Sequence, residues 1–223
     1  MRIKLAIFDL AGTVIDKGSC APVFALQSVL SQFGFFYNHR EIRKYMGFSK
    51  REHIKMLTGL EDERLVDQIY KAYIPIQLEY IDKRNAPLDG VMNVFEWLKK
   101  QDIKVACATG YDRIMAEVAA RWIANEVEFI ATPDNLPAGK PAPWMIFRCM
   151  EECDVYPPGK VVMIGDTIAD IQAGTNAEVW TIGVTDTGNL SYSENAHEVF
   201  MNAGAHFIAT DITGCVSLIK EIW

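Results

Sequence analysis

A short stretch near the amino terminus decides the fold: Lys4-Leu5-Ala6-Ile7-Phe8-Asp9-Leu10-Ala11-Gly12-Thr13. A strand is predicted at residues 4–8, because residues 5–8 form a short apolar run that is typical of a buried strand. The glycine that follows predicts a turn. In a parallel α/β sheet, ligands bind beyond the carboxyl ends of the strands, so Asp9 lies where chemistry is expected. Taken alone, Asp9 is equally well explained as a turn-forming residue.

From residue 103 onward, short β-branched runs alternate with helical patterns. Strands are predicted at residues 103–108, 127–131, 161–164, 179–184 and 206–209, and helices at residues 113–124, 144–153, 168–176, 194–203 and 214–220. Continuous apolar strands that alternate with helices indicate a parallel sheet covered on both faces. The predicted fold class is therefore α/β, with a Rossmann-like parallel-sheet core.

Between residues 17 and 87 the pattern changes and becomes almost wholly helical. Helices are predicted at residues 23–32, 40–45, 51–57 and 62–80. Both edges carry helix breakers, Gly18-Ser19 with Pro22 on one side and residues 85–90 on the other. A helical block that follows the first strand of a parallel sheet predicts an inserted cap. We expect a core domain of residues 1–16 and 88–223 and a helical cap domain of residues 17–87.

The bulk composition excludes several classes of protein. The net charge is -7 and no basic stripe is present, so we expect no nucleic-acid partner. No apolar run approaches the roughly 20 residues that span a bilayer, and the amino terminus lacks a signal-peptide pattern, so we expect no membrane partner. The five cysteines form no CxxC pair and are interpreted as packed thiols of a cytoplasmic protein.

A second acidic motif follows the predicted strand at residues 161–164. Asp166 and Asp170 are four residues apart, at a strand end and on the first helical turn, where they can share one hard cation. Together with Asp9 they make an oxygen-rich site suited to Mg²⁺. The alternative is that Asp166 caps the helix while Asp170 is solvated.

Two further strand ends predict the rest of a phosphate site. Thr109-Gly110 places a hydroxyl and backbone amides at the start of a helix, which favours an anion. Lys140 stands in a rigid Gly-Lys-Pro loop that opens another helix. Taken separately, Thr109 is explained as a helix cap and Lys140 as a solvated side chain. Together with the two acidic motifs, in this order and each after its own strand, they resemble the four sequence motifs of the haloacid dehalogenase superfamily.

One position departs from the pattern of that superfamily's phosphatases. Two residues after the nucleophile they carry a second aspartate that protonates the departing alkoxide. Here that position is Ala11. The predicted cap contains Lys50, whose amine could condense with a carbonyl if the site is dry. The resulting iminium would let a carbon leave phosphorus as an enamine, so Ala11 and Lys50 explain each other. The alternative for Lys50 is a solvated surface charge.

The resemblance then narrows to the phosphonoacetaldehyde hydrolase (phosphonatase) family, along nearly the whole chain. The segments that carry it are Asp9–Thr13 with Asp16, Met46-Gly47 through Lys50 with His53, Thr109–Arg113, Thr132–Asp134, Pro137–Pro141 with Pro143–Met145, Val155–Pro157, Gly165–Thr167, Asn176-Ala177 with Trp180–Val184, and Asn202–Phe207. The resemblance implies cleavage of a carbon–phosphorus bond, releasing acetaldehyde and phosphate. It also implies Mg²⁺ as cofactor, a small phosphonate substrate and a homodimer.

The resemblance also implies a role for each matching residue. Lys50 is expected to be the Schiff-base lysine, Asp9 the nucleophile and His53 a proton relay. The expected metal ligands are Asp9, the Ala11 carbonyl and Asp166, with Asp170 as an accessory carboxylate. Thr109, Gly110 and Lys140 are expected to bind the phosphoryl group, and Met46 and Tyr111 to border the substrate. A structural role for His53 is an equal alternative.

Two departures from the family leave the exact substrate open. Lys140 stands where the family carries arginine, which keeps the charge but loses bidentate geometry. The segments between Lys50 and Thr109 and after Val184 are shorter than is typical. The alternatives are a hydrolase of another phosphonate, a phosphomonoesterase that uses water or a cap residue as its acid, and a catalytically silent phosphate-binding module.

Overall fold

In the described residues, six parallel strands form one sheet. The computed structural model describes residues 2–191 and 193–222; Met1, Tyr192 and Trp223, which the predicted core domain includes, lie outside them. The strands are β1 (Leu5–Phe8), β2 (Lys104–Ala108), β3 (Phe129–Ala131), β4 (Val161–Gly165), β5 (Trp180–Val184) and β6 (Phe207–Ala209). Their order across the sheet is β3-β2-β1-β4-β5-β6. The predicted α/β fold with a parallel sheet is confirmed.

The register of the sheet determines where the site forms. Phe8, the last residue of β1, pairs with Cys107 of β2 and with Ile164 of β4. The amide of Asp9 continues this pairing and donates to the carbonyl of Ile164 over 2.9 Å. Because the strands are parallel, the segments that follow β1, β2 and β4 leave the sheet at the same edge.

Helices cover both faces of the sheet and form the block between β1 and β2. They are α1 (Cys20–Gln32), α2 (His39–Arg43), α3 (Lys50–Thr58), α4 (Glu63–Asp82), α5 (Val91–Lys100), α6 (Arg113–Ala119), α7 (Trp144–Glu152), α8 (Ile168–Asn176), α9 (Ala196–Asn202) and α10 (Cys215–Glu221). On one face Phe8 packs against Phe95 of α5, with ring centroids 5.2 Å apart. On the other face Ile7 packs in a cluster with Met145 and Ile146 of α7.

Two helices differ from the sequence-based expectation. Helix α5 was not predicted, although its buried residues Val91, Val94, Phe95 and Leu98 have the spacing of an amphipathic helix. Helix α6 was predicted to run to residue 124 but ends at Ala119. Tight turns replace its last part. The backbone amides there donate to carbonyls three residues earlier in the chain, and not four residues earlier as in an α-helix.

The described elements between residues 17 and 87 are all helical, as predicted. Helix α1 packs against α4, and α4 in turn contacts α6 of the core. The two chain segments that join this block to the sheet run side by side, because Ile15 bridges Pro87 and the Leu88 amide donates to the Val14 carbonyl over 2.8 Å. The domain division at residues 16/17 and 87/88 stays a prediction.

Two other expectations concern the membrane and the cysteines. Within residues 2–191 and 193–222, no helix combines the length and the apolar character needed to cross a membrane. All five cysteines are free thiols, four of them buried. A cytoplasmic location stays a prediction.

Candidate active site

The candidate site lies where the core loops meet the cap. Asp9 and Thr109 from the sheet edge and Met46 and Lys50 from the cap line a shared cavity of about 20 Å³. Such a volume holds about one water molecule. The structure therefore brings the predicted nucleophile and the predicted Schiff-base lysine to the wall of one small cavity.

Lys140 is anchored between two carboxylates in the interior. The residue is fully buried, and its Nζ donates to Asp9 Oδ1 over 2.6 Å, to Asp170 Oδ1 over 2.5 Å and to the Ala108 carbonyl over 3.0 Å. All three of its protons are therefore used by the protein. Burial lowers the pKa of Lys140, but the charges of Asp170 and Asp9 outweigh burial and raise that pKa above its ordinary value. The solvated alternative for Lys140 is wrong.

Asp9 combines burial with a fixed orientation. Burial raises the pKa of Asp9 to about 6, although the charge of Lys140 opposes this change. Because Lys140 holds Oδ1, the other carboxylate oxygen is the candidate nucleophilic atom. Ala11 lies at the cavity wall two residues further on. An alanine carries no acidic group, so a leaving group in this cavity receives no proton from that position.

Asp166 is held by three donors from different parts of the chain. Its Oδ1 accepts from Thr13 Oγ1 over 2.8 Å, and its Oδ2 accepts from the Asn189 amide over 2.6 Å and from Ser19 Oγ over 3.0 Å. A Cβ on Gly188 would lie 1.9 Å from the Asp166 Cβ, so only glycine allows this approach. Burial and the charges of Asp9 and Asp170 raise the pKa of Asp166 to about 8.

Asp170 is neither solvated nor free. Its Oδ2 accepts from the amide of Thr167 over 2.9 Å and from Thr167 Oγ1 over 2.6 Å, while Oδ1 accepts from Lys140. Thr167, not Asp166, is the N-cap of α8. The alternative in which Asp166 caps the helix and Asp170 is solvated is therefore wrong. Asp170 Oδ1 is paired with the charge of Lys140, and the accessory role of Asp170 stays a prediction.

The donor set fits a magnesium ion. Asp9, Asp166 and Asp170 are all buried and each offers a carboxylate oxygen within 4.8 Å of the others. Hard divalent cations prefer oxygen ligands of this kind. The Ala11 carbonyl lies beside this group, because Ser19 Oγ is 2.9 Å from that carbonyl and 3.0 Å from Asp166 Oδ2 and shares its single proton between them. Asp9 and Asp166, with this carbonyl, are the residues that would hold the ion.

Lys50 begins α3 and points into the protein. It is 5% exposed, so the solvated alternative for Lys50 is wrong. Burial lowers the pKa of Lys50 to about 8, with Asp9 opposing the change and Lys140 adding to it. Its Nζ lies 5.7 Å from the centroid of the Tyr111 ring. An amine with this pKa is partly unprotonated near neutral pH, as nucleophilic attack requires.

His53 lies one turn beyond Lys50 on the same helix and is fully buried. Its Nε2 lies 2.8 Å from the Ile42 carbonyl, so Nε2 carries the proton. Its Nδ1 has no hydrogen-bond partner among the residues that the structure describes. Burial and the charge of Lys50 lower the pKa of His53 to about 3. The imidazole is therefore neutral, with an unused acceptor that is only weakly basic, and its role as a proton relay stays a prediction.

Glycines allow the cap loop to lie directly on the core. A Cβ on Gly110 would lie 2.8 Å from the Phe48 carbonyl, and a Cβ on Gly47 would lie 2.4 Å from Thr167 Oγ1. Gly47 also has a φ of 91°, in the left-handed region that favours glycine. The cap is therefore closed over the site in this structure. Met46, at the start of this loop, is buried at the cavity wall.

Thr109 completes the core side of the cavity. Its Oγ1 accepts from the Tyr111 amide over 3.2 Å, so its hydroxyl proton is available to an anion. Thr109, Gly110 and Tyr111 are site residues predicted from the sequence, whereas the contacts of Ser19 and Asn189 with Asp166 are not. No motif marks these two residues, because they reach Asp166 from a cap helix start and a distant loop.

The chain matches known proteins along most of its length. Residues 6–184 match the family model described as haloacid dehalogenase-like hydrolase. A phosphonoacetaldehyde hydrolase from Bacillus cytotoxicus is 34% identical over an alignment that covers 100% of this chain and 97% of that protein. The chain belongs to the phosphonoacetaldehyde hydrolase family of haloacid dehalogenase-like hydrolases.

Other members of this family show the same extent of similarity. A phosphonoacetaldehyde hydrolase from Bacillus cereus strain G9842 is 33% identical, with 100% of this chain and 97% of that protein covered. The crystal structure of a phosphonoacetaldehyde hydrolase-like protein from Oleispira antarctica superposes with a TM-score of 0.91 at 28% identity, covering 100% of this chain and 93% of that one.

The chain is shorter than its phosphonoacetaldehyde hydrolase relatives. The alignment with the Bacillus cytotoxicus protein spans 256 positions against 223 residues here, which leaves 33 positions as gaps in this chain. Their placement before Thr109 and after Val184 stays a prediction.

Proposed function

We propose that the protein hydrolyses the carbon–phosphorus bond of phosphonoacetaldehyde to acetaldehyde and phosphate, with Mg²⁺ as cofactor. The observation that carries this proposal is the pairing of a buried Lys50 with Asp9 across one small cavity, with Ala11 in place of a general acid. The relatives named phosphonoacetaldehyde hydrolase support the same substrate. A small phosphonate is the proposed partner; homodimer formation stays a prediction.

Lys50 supplies the first covalent step. Its unprotonated amine attacks the aldehyde carbon, and loss of water from the carbinolamine gives an iminium ion. The lowered pKa of Lys50, about 8, keeps part of the amine in the reactive form. The neutral His53, with its unused Nδ1, is the proposed acceptor and donor of the protons that this condensation moves.

Asp9 supplies the second covalent step. Its free carboxylate oxygen attacks phosphorus, and the electrons of the broken carbon–phosphorus bond move into the iminium to give a neutral enamine. Because the leaving group is an enamine, no alkoxide needs a proton and Ala11 is sufficient. Protonation of the enamine at carbon and hydrolysis release acetaldehyde from Lys50, while a second water cleaves the aspartyl phosphate.

Charge on the phosphoryl group is balanced by several groups. Mg²⁺, when bound, neutralises phosphoryl oxygens in the transition state. Thr109 Oγ1 and the Gly110 amide are the proposed hydrogen-bond donors to the same oxygens. Lys140 holds Asp9 in place; for Lys140 to bind a phosphoryl oxygen as well, one of its three present hydrogen bonds must be exchanged.

Substrate entry requires the cap to move. A cavity of about 20 Å³ has room for about one water and not for phosphonoacetaldehyde. We propose that the loop around Gly47 lifts to admit substrate and then closes. Closure excludes water from the iminium, which would otherwise be hydrolysed before phosphoryl transfer.

The experiment measures acetaldehyde and phosphate release from phosphonoacetaldehyde with Mg²⁺. We expect equal amounts of both products from the unaltered protein and loss of activity in Lys50→Arg. The control is Lys55→Arg, because Lys55 lies on the same helix but forms an exposed ion pair with Glu63. Trapping with borohydride should attach an ethyl group to Lys50 during turnover.

Two outcomes would replace this proposal. Hydrolysis of an aryl phosphate that survives Lys50→Arg, without acetaldehyde release, would identify a phosphomonoesterase. Cleavage of a different phosphonate that depends on Lys50, with poor use of phosphonoacetaldehyde, would identify the other-phosphonate alternative.

A further inference from the structure

The loop after β5 lies between a predicted metal ligand and the cap. Its backbone reaches Asp166, because the Asn189 amide donates to Asp166 Oδ2 over 2.6 Å. Gly188 packs so closely that a Cβ there would lie 1.9 Å from the Asp166 Cβ. On the same loop, the Thr187 carbonyl accepts from the amide of Gly18, at the start of the cap segment, over 2.6 Å. The position of this loop therefore determines how Asp166 is held.

Arg43 of α2 binds the side chain of Asn189 through two hydrogen bonds. Arg43 Nη1 donates to Asn189 Oδ1 over 3.1 Å, and Asn189 Nδ2 donates to the Arg43 carbonyl over 3.1 Å. The side-chain oxygen of asparagine only accepts and its nitrogen only donates, so the two bonds together fix one orientation of the amide group. Asn189 is 8% exposed, and the pair is therefore largely sheltered from water.

The same guanidinium nitrogen also holds the start of the cap segment. Arg43 Nη1 donates to the Gly18 carbonyl over 2.6 Å, so its two protons are directed at Gly18 and Asn189. Two successive contacts thus join the cap to the predicted metal site. The first runs from Arg43 to the Asn189 side chain, and the second from the Asn189 amide to Asp166.

We propose that Arg43 and Asn189 are positioning residues of the metal site, through which the cap fixes the orientation of Asp166. The inference rests on the proposed function, because that function assigns Mg²⁺ to Asp9 and Asp166. The backbone amide of Asn189 makes the contact with Asp166, so loss of either side chain keeps this donor but releases the loop that carries it. Substituting a residue that orients a metal ligand typically lowers metal affinity by about 10–100-fold.

The test measures Mg²⁺ binding without substrate. Calorimetric titration with magnesium chloride gives the dissociation constant for the unaltered protein, Arg43→Met, Asn189→Ala and the double variant. We expect each single variant to bind Mg²⁺ about tenfold more weakly, and the double variant no more weakly than either one. The control is Arg40→Met, because Arg40 lies on the same helix and is exposed, and its dissociation constant should be unchanged.

Two further readouts separate positioning of Asp166 from a loss of stability. Thermal unfolding without Mg²⁺ shows whether each variant is folded at the temperature of the titration; if Arg43→Met is not, the dissociation constant of Asn189→Ala decides. A high Mg²⁺ concentration should restore acetaldehyde release in both single variants, because neither residue is among those that line the cavity. Activity that stays lost at saturating Mg²⁺ would contradict a role limited to the metal site.

The remaining outcomes distinguish this inference from the proposed function. Equal Mg²⁺ affinity in all variants would overturn the inference alone, and so would additive losses in the double variant, because Arg43 would then act by a path other than Asn189. An unaltered protein that binds no Mg²⁺ would overturn both. Mg²⁺ binding that depends on Arg43 and Asn189, without acetaldehyde release from the unaltered protein, would remove the proposed substrate and leave the inference standing.

Discussion

Lys140 Nζ lies 2.6 Å from Asp9 Oδ1, and both groups are buried. This ion pair, which Asp170 extends to three charges, stands at the centre of the site. Removing one partner from a buried charge pair typically costs about 3–5 kcal/mol, because the other charge is left uncompensated. We expect Lys140→Met to lower the free energy of unfolding by about this amount and to abolish activity.

Urea unfolding at pH 7 measures this effect. The control is Lys83→Met, which removes an exposed ion pair with Glu79 and should leave the free energy of unfolding nearly unchanged, because solvent screens this pair. A similar small change in both variants would show that Lys140 does not compensate the buried carboxylates.

The pKa of Lys50 predicts the pH dependence of imine formation. Burial lowers this pKa to about 8, so the reactive unprotonated amine increases as pH rises through 8. Labelling of Lys50 by acetaldehyde and cyanoborohydride should therefore rise from pH 6, reach half of its maximum near pH 8 and then level off. An increase that continues toward pH 10, as for an exposed lysine, would show that Lys50 is not desolvated in solution.

Much of the site could be predicted because it depends on strand ends. Asp9, Thr109 and Asp166 each follow a short apolar strand, and parallel strands bring their carboxyl ends together. The role of Lys50 was predicted from the presence of Ala11. Without an acid at that position, the leaving group must be one that needs no proton, such as an enamine. Helix α5 could also have been predicted, because its apolar spacing is clear.

The remaining parts of the site depend on tertiary packing. Ser19 and Asn189 contact Asp166 from positions 147 and 23 residues away along the chain. Arg43 is one of several basic residues in the cap, and its sequence neighbours do not indicate that it contacts Asn189. The sequence also left two alternatives for Asp170, a place in the metal site or a solvated position, because a carboxylate on the first helical turn is suited to both. Only the packed structure distinguishes these cases.

The raised pKa of Asp166 predicts that magnesium binding depends on pH. Burial and the charges of Asp9 and Asp170 raise this pKa to about 8, so the carboxyl is largely protonated at pH 6.5 and ionised above pH 8. An ion that binds the carboxylate must displace the proton at the lower pH. The increase in Tm caused by Mg²⁺ should therefore be larger at pH 8.5 than at pH 6.5.

Thermal unfolding with and without Mg²⁺ at both pH values checks this prediction. Asp166→Asn keeps the shape but removes the charge, so it should lose most of the increase in Tm at either pH. An equal increase in the variant would place the ion elsewhere. An increase that is larger at pH 6.5 would contradict the direction of the pKa shift.

Two core glycines near the cap loop provide a matched test of cap closure. A Cβ on Gly110 would lie 2.8 Å from the Phe48 carbonyl, whereas a Cβ on Gly139 would lie 3.4 Å from the Ser49 Cβ, close to ordinary contact. Neither residue has a positive φ, so alanine causes no backbone strain at either position. Gly110→Ala should therefore hold the cap partly open, while Gly139→Ala should allow it to close.

The expected result is a loss of kcat/KM by about a hundredfold in Gly110→Ala, consistent with about 1 Å of displacement at the reacting groups. Gly139→Ala should keep activity within about threefold, and both variants should keep the Tm of the unaltered protein within a few degrees. Acetaldehyde release and thermal unfolding measure the two quantities. Equal activity in the two variants would show that the contact between Gly110 and Phe48 is not needed for catalysis. If Gly110→Ala also lowers the Tm by more than a few degrees, the loss of activity would be assigned to core stability instead of cap closure.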